Sequence, residues 1–297
     1  EVTETTLTVR QTQPSFTVNS ITVPEYPSAG NPMDVSLNVT NDGETFEQVI
    51  NLWVQKEGES TWTKVATATR KIDPGKSGDV VMTYKPSAVG TYILKATKTD
   101  SQDALKTTTV IVYATINTTI NNIKYECNTG AKTAKVVGHT FTSSDSPAAA
   151  EIPATLTDNG IEYTVKEIAD KAFMYCYSLA SLTIPSSVES IGDDAFLNCF
   201  HLEEVTIPEG VKHIGEMAFS YCDLKTVESA MNNPCAIDES VFMDSKLVDG
   251  EYVEVFTSAN LFVPIGKKDV YAAADVWKNF SNIYQGELKE STVEGIT

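Results

Sequence analysis

The chain has 297 residues, of which 40 are acidic and 22 basic, for a formal net charge of −18. The surplus is uneven: residues 1–113 carry 13 acidic and 10 basic side chains, whereas 114–297 carry 27 and 12, a net of −15. Such a field repels nucleic acid and anionic lipid, which excludes both as primary partners, and no apolar run approaches the ~18 residues that would span a bilayer.

The length fits two domains. In residues 1–113 short β-rich runs recur: Ser15–Val18, Asp34–Val39, Val49–Val54, Trp62–Val65, Val80–Tyr84, Thr91–Ala96 and Thr107–Val112. Turn signals stand between them at Asn41-Asp42-Gly43, Asp73-Pro74-Gly75-Lys76 and Gly90. Seven alternating strands with frequent turns predict a β-sandwich. Glu1 to Gln13 reads equally as a first strand or as the end of a preceding linker.

Residues 114–297 are predicted to form a second domain. Ala114 to Val137 opens it, with Ile120–Tyr125 and Lys135–Val137 as a first β pair. Thr155–Thr157 and Ile161–Tyr163 flank Asp158-Asn159-Gly160, which is a hairpin signal. A repeat follows: Ile168, Ile191, Ile214 and Ile237 are 23 residues apart, as are Phe173, Phe196, Phe219 and Phe242, and Cys176, Cys199 and Cys222. Three columns sharing one period predict a solenoid. A lone unit buries too little to order its own backbone, so the units must fold as one array.

Within the unit from Leu179 to His201, Leu182-Thr183-Ile184 alternates as a short strand and Pro185 ends its pairing. Ile191-Gly192 makes a corner where glycine is expected to supply positive φ. Asp193-Asp194-Ala195-Phe196 reads as one helical turn with acids at its N-terminal end. From Pro153 to Ile168 the spacing is fifteen residues instead of six, room for the protruding hairpin, and Lys246 to Tyr252 marks a second excursion. Val270, Tyr271, Ala274, Trp277 and Phe280 predict a terminal helix capping the open end of the core.

The runs Leu182-Thr183-Ile184-Pro185, Ile191-Gly192-Asp193-Asp194-Ala195-Phe196 and Cys199 resemble the BspA-like, or Treponema-type, leucine-rich repeat of bacterial surface proteins, over about residues 150 to 285. Leu261-Phe262-Val263-Pro264 with the cap residues is similar to that family's C-terminal cap. The first domain resembles the CARDB-type, immunoglobulin-like module of bacterial adhesion proteins, through Ala29-Gly30, Thr40-Asn41-Asp42-Gly43, the Pro-Gly turn and Gly90-Thr91-Tyr92, which implies an immunoglobulin-like β-sandwich. The fold class is therefore mainly β: a β-sandwich, then a short leucine-rich-repeat solenoid with a helical cap. The resemblance implies a cell-surface or secreted adhesion protein of a gut or oral Bacteroidetes-type bacterium, binding host matrix or another cell-surface protein. The absence of a leader ahead of Glu1 points the same way, to a processed exported chain.

No catalytic group, metal site or cofactor motif is expected. Stacked cysteines lie too far apart for a disulfide, and identical side chains on one ladder do not converge on zinc, so Cys176, Cys199 and Cys222 read as buried donors to corner carbonyls. Cys127 and Cys235 pair only if the fold brings them together. His201 and His213 fall at unit edges, away from the inward cysteines. Asp193-Asp194 could touch a cation, although acids at a helix start explain the pair as well.

A binding surface is expected on the outward residues of the stacked strands. Glu151, Thr183, Thr206, Glu228 and Phe262 form one column, and Ser181, Glu204, Thr226 and Asn260 the next. The loops Asp158–Tyr163 and Asp249–Glu254 are comparable candidates. Two alternatives stand beside protein binding: a structural stalk element of a surface assembly, and a carbohydrate-binding accessory protein.

Overall fold

A computed structural model describes residues 15–43, 46–98, 103–142, 148–248 and 251–286. The chain divides into two compact units, 1–115 and 116–297.

The first unit is built from β1 (Phe16–Thr22), β2 (Met33–Asn41), β3 (Phe46–Lys56), β4 (Thr63–Ile72), β5 (Ser77–Tyr84), β6 (Gly90–Lys98) and β7 (Lys106–Val112). They form two antiparallel sheets, ordered β1-β2-β5 and β4-β3-β6-β7. Period-two alternation aims Val35, Leu37 and Val39 of β2 at Ile50, Leu52, Leu94 and Ala96 of the facing sheet, and all are fully buried. Each run expected from the sequence is a strand, except that Ser15 and Trp62 stand just ahead of β1 and β4. Asn41 ends β2 by accepting from the Gly43 N–H at 2.9 Å and donating to the Ile72 carbonyl at 2.7 Å. That side-chain turn is the role of asparagine in an Asn-Asp-Gly signal.

The second unit opens on a meander of β8 (Thr115–Ile120), β9 (Ile123–Asn128) and β10 (Thr133–His139). The run Ile120–Tyr125, expected as one strand, is broken by Asn121-Asn122, at φ 49° and 65°. Two left-handed residues make the tight turn of a two-residue hairpin, and asparagine tolerates that region. β11 (Ala148–Glu151) follows, then β12 (Thr155–Asp158) and β13 (Ile161–Ile168). Those last two form the expected hairpin, with Asp158 paired to Ile161 and Asn159-Gly160 at φ 48° and 79°.

Each later coil adds rungs to two parallel ladders. On one side β14 (Leu179–Thr183) pairs with β11, and β16 (Glu204–Ile207) with β18 (Thr226–Ser229). On the other, β15 (Ser190–Ile191) joins β13 to β17 (His213–Ile214), in the register Ile168, Ile191, Ile214. β19 (Met243–Val248) and β20 (Glu251–Phe256) form the second excursion as a hairpin whose tip, 249–250, lies outside the described residues. β21 (Asn260–Val263), helix α1 (Lys268–Ala273) and β22 (Asn282–Gln285) close the array, β18-β21-β22 in parallel.

Between the ladders the expected helical turn does not form. Asp194 and Asn198 stand at φ 55° and 62°, as do Lys171, Tyr175, Met217 and Tyr221 near that value in the adjoining coils. Alternating hands turn the N–H groups along the solenoid axis instead of back into their own segment. The Phe173 N–H donates to Ala195 O at 2.7 Å, Phe196 to Ala218 at 2.8 Å and Phe219 to Val241 at 3.0 Å. The backbone thus finds its partners one coil on, which a helix would forbid.

Gly192 is likewise needed for a different reason than expected. Its φ is not positive. A Cβ there would collide with the backbone of Ala169 and Asp170, and one at Gly215 with that of Gly192 and Asp193. Glycine lets successive coils approach.

The Phe column runs through the core. Phe173, Phe196, Phe219 and Phe242 stack with centroid separations of 5.2, 5.1 and 5.7 Å and planes within 10°. His139 extends the stack at one end, 5.7 Å from Phe173. At the other, Trp277 and Phe280 meet Phe242 edge-on. The cap that carries them is not the single helix expected: α1 stops at Ala273, Val276 takes φ 65°, and Trp277–Asn279 is one 3-10 turn. On a continuous helix Tyr271 and Trp277 would point about 120° apart. The break turns both into the core, with Tyr271 Oη donating to Met231 O at 2.9 Å and Trp277 Nε1 to Cys235 O at 2.8 Å, and leaves Val270 exposed.

Candidate functional site

Alternation along the strands decides which side chains face outward. Leu182, Val205, Ile207, Val227, Leu261 and Val263 are buried behind the sheet, so the residues between them line its outer face. The register places Glu151 opposite Thr183, and then Thr206, Glu228 and Phe262 on three successive strands. Ser181 pairs with Ala149, and Glu204, Thr226 and Asn260 align on the neighbouring rung. The hydrogen-bonded ladder is interrupted between β14 and β16, so each expected column exists as two shorter ones.

Glu151, Ser181, Thr183, Glu204 and Thr206 are exposed, and Glu228, Asn260 and Phe262 half-buried. Thr226 is a correction: it is only 8% exposed. Its small side chain sits between the paired positions Glu204 and Asn260 on the flanking strands, and cannot serve as a contact residue.

The face is tied across its strands. Thr206 Oγ1 donates to Glu228 Oε2 at 3.4 Å, and Asn282 Nδ2 to Asn260 Oδ1 at 3.1 Å. Phe262 stacks on Tyr284 at 5.2 Å. Asn282 and Tyr284 thus add a further rung that the expected columns did not include. The alternation Asn282-Ile283-Tyr284, at the 22-residue step that also separates Thr206 from Glu228, was the signal for it.

The hairpin candidates are less open than expected. Tyr163 is fully buried, leaving Asn159-Gly160 as the tip of the first. In the second, Asp249 lies outside the described residues, while Glu254 Oε1 accepts the Tyr221 hydroxyl at 3.0 Å.

Acids at the corners serve the stacking. Asp170 Oδ1 accepts the Asp193 N–H at 2.9 Å and Asp193 Oδ1 the Glu216 N–H at 2.8 Å, so these carboxylates join coils. Glu189 lies between Lys166 at 2.6 Å and Lys212 at 2.5 Å, and their hydrogen bonds hold its carboxyl at about 2.

The thiols are used as donors, Cys199 Sγ to Phe173 O at 3.2 Å and Cys222 Sγ to Phe196 O at 3.1 Å. None of the five cysteines is in a disulfide, and Cys127 and Cys235 do not pair. A hydrogen bond with Cys222 and then burial push the Cys199 thiol far up, away from the thiolate a nucleophile needs. His201 sits against the Tyr177 carbonyl, 2.5 Å from its Nδ1. Among the described residues no cluster of three or more His, Cys, Asp or Glu side chains is placed to hold a metal, and no helix is long and apolar enough to cross a membrane.

Aromatic residues also stand outside the core. Tyr175, Tyr177, Phe200 and Tyr284 are between 42% and 51% exposed. Tyr175, Tyr177 and Phe200 each adjoin the cysteine column by one residue, so the period alone did not reveal which way they point.

Two family models match the chain. The BspA type leucine-rich-repeat region, in six copies, covers residues 153–258, and CARDB covers residues 13–109. Neither is an enzyme family, and leucine-rich-repeat arrays generally mediate protein binding. No curated protein matches. Among solved structures, the β-glucosidase EmGH1 of Erythrobacter marinus is 17% identical at a TM-score of 0.30, over 33% of this chain and 15% of that one. A β-glucosidase of Listeria innocua with gluconolactone is 14% identical at 0.29, over 34% and 16%. A leucine-rich repeat protein of Bacteroides capillosus is 25% identical at 0.29, over 38% of this chain and 97% of its own. The chain thus spans only 15% and 16% of the two glucosidases, and superpositions this partial carry no argument about fold or activity. Both sequence resemblances are met by the family models: residues 153–258 belong to the BspA type leucine-rich-repeat region and residues 13–109 to CARDB.

Proposed function

We propose that the chain is a non-enzymatic adhesion protein, exported to the surface of a bacterial cell or secreted, whose repeat array recognises an extracellular protein. The partner is a host-matrix or cell-surface protein with a basic contact patch, and the β-sandwich acts as a spacer.

One observation carries the reading: the outward face of the stacked strands presents carboxylates at fixed separations on a rigid support. Glu204 and Glu228 stand on paired strands, with Thr206 hydrogen-bonded to Glu228 and the Phe262–Tyr284 stack beside them. Side chains held by a ladder lose little entropy on binding, and a net of −15 over residues 114–297 draws a basic partner toward them. Polar rim and aromatic anchor together match the usual make-up of a protein contact.

The test is a binding screen of the chain against extracellular matrix proteins, repeated with Glu204→Lys and Glu228→Lys combined. Partners that bind the wild type and lose affinity on charge reversal support the reading. A screen with no partner, or partners indifferent to the reversal, refutes it.

A further inference from the structure

A second ladder of rings stands on the outer corner of the coils. Tyr177 follows Cys176, and Phe200, one coil on, follows Cys199. Their rings stack 5.4 Å apart with planes 2° from parallel, although they are 42% and 51% exposed. Tyr175 leans on Tyr177 at 6.0 Å. The buried Phe column already holds the coils together, so these exposed rings are not needed to close the core.

The ladder stops one rung early. The third coil is one residue shorter between its cysteine and the next leucine, and Asp223 follows Cys222 where a ring stands in the two coils before. Among the described residues no third ring continues the stack beyond Phe200. The space is instead a groove of about 440 Å³ lined by Asn198, Phe200, Tyr221, Asp223, Asp244 and Ser245. The Tyr221 hydroxyl brings the Glu254 carboxylate to the same edge.

A ring face flanked by carboxylates suits one kind of visitor. A guanidinium is a flat cation: it stacks on an aromatic face while its N–H fork pairs with a carboxylate. A lysine ammonium matches the charge but not the plane. An anion would meet Asp223 and Asp244, and a neutral ligand would leave both carboxylates without a counter-charge.

We propose that this groove receives an arginine side chain of a partner protein, its guanidinium lying over Phe200 in the place of the third ring and pairing with Asp223 and Asp244. The proposal rests on the protein-binding reading above and places a specific contact on a different face of the array.

The experiment is calorimetric titration of the full chain with a short arginine peptide in a glycine-serine background, beside the same peptide carrying lysine or citrulline. Citrulline keeps the shape of arginine and removes its charge. The arginine peptide should bind, lysine more weakly, and citrulline at least about tenfold more weakly. Phe200→Ala and Asp223→Asn should each lower the arginine affinity about fivefold to tenfold without changing thermal melting. Asp223→Phe should extend the ring stack into the groove and abolish binding while the fold melts no earlier than wild type. Equal affinity for arginine and citrulline, no binding, or affinity unmoved by Phe200→Ala overturns the proposal. The strand-face reversal of Glu204 and Glu228 should change peptide affinity by less than about twofold at physiological salt, and a larger loss would place the peptide on that face and overturn the groove. If the matrix screen fails while the arginine peptide still binds through Phe200, the strand-face reading falls and the groove stands.

Discussion

The Phe196 ring lies 5.1 Å from that of Phe219, one coil on, with the two planes 4° apart. Both are essentially unexposed. Each ring therefore closes the core of two coils at once, and deleting one leaves a cavity that neither coil can fill alone. Phe219→Ala should cost about 3–5 kcal/mol, read from urea unfolding of the repeat array. Phe219→Leu, which keeps most of the volume, should cost about half of that or less. Equal losses for the two substitutions would contradict the stacking account.

Gly215 makes a sharper test of how closely the coils approach. An added Cβ would collide with backbone of Gly192 and Asp193, which has no side-chain freedom to give way. Gly215→Ala should destabilise the array by about 1–3 kcal/mol. Gly160, at the tip of the first hairpin, has nothing within reach of an added Cβ but stands at φ 79°. Gly160→Ala should cost about 1 kcal/mol through backbone conformation alone. Thermal melts of the two variants separate the mechanisms, and an unaffected Gly215→Ala would refute the close approach.

Acid should weaken the corner ladder in a definite window. Glu189 is held at about 2 by hydrogen bonds from Lys166 and Lys212, against an ordinary value of 4.5. Because the folded state favours the charged carboxylate, this contribution is complete above about pH 4.5 and disappears as pH falls toward 2. Glu189→Gln should flatten that part of the melting-temperature profile, and wild type and variant should converge at its acid end. The group is solvent-exposed, so added salt should shrink the difference. A variant whose profile keeps the wild-type acid limb would show that the pair contributes nothing.

The thiols should be unreactive in the native state. Cys127, Cys176, Cys199 and Cys222 are buried, whereas Cys235 is half-buried. Burial pushes Cys127 to about 11 from 9.0, so the neutral thiol is favoured on folding and that stabilisation is lost as pH rises through that interval. Iodoacetamide at about pH 8, where a free thiol is partly ionised, should modify Cys235 first. The other four should react only on unfolding. Mass spectrometry distinguishes the sites, and rapid native labelling of Cys199 or Cys222 would contradict their role as buried donors.

The periodic columns of Ile, Phe and Cys were legible because every coil repeats the same burial problem, and the solenoid and its hairpin insertion follow from them, whereas the sandwich strands were legible from their own alternation and turn signals. What the sequence hid is the backbone between coils. Asp193-Asp194-Ala195-Phe196 has the composition of a helix start, yet its N–H groups find better partners one coil away than within their own turn, and Asp194 adopts positive φ to reach them. Gly192 was read as a turn residue because clearance between coils leaves no local mark. On the strand face, the register of Glu204, Thr206, Glu228 and Phe262 followed from alternation, but the burial of Thr226 depends on the neighbouring rungs. Phe200 was equally opaque: it adjoins a buried cysteine, and only the stacking of coils turns it outward against Tyr177.

The strand face is tested most directly by the salt dependence of binding to a basic extracellular protein captured in the screen. Wild type should bind with an affinity that falls as salt rises, and the combined Glu204→Lys and Glu228→Lys chain, with melting unchanged, should lose at least about tenfold at physiological salt. An affinity independent of salt and unaltered by the two reversals would contradict recognition through this face.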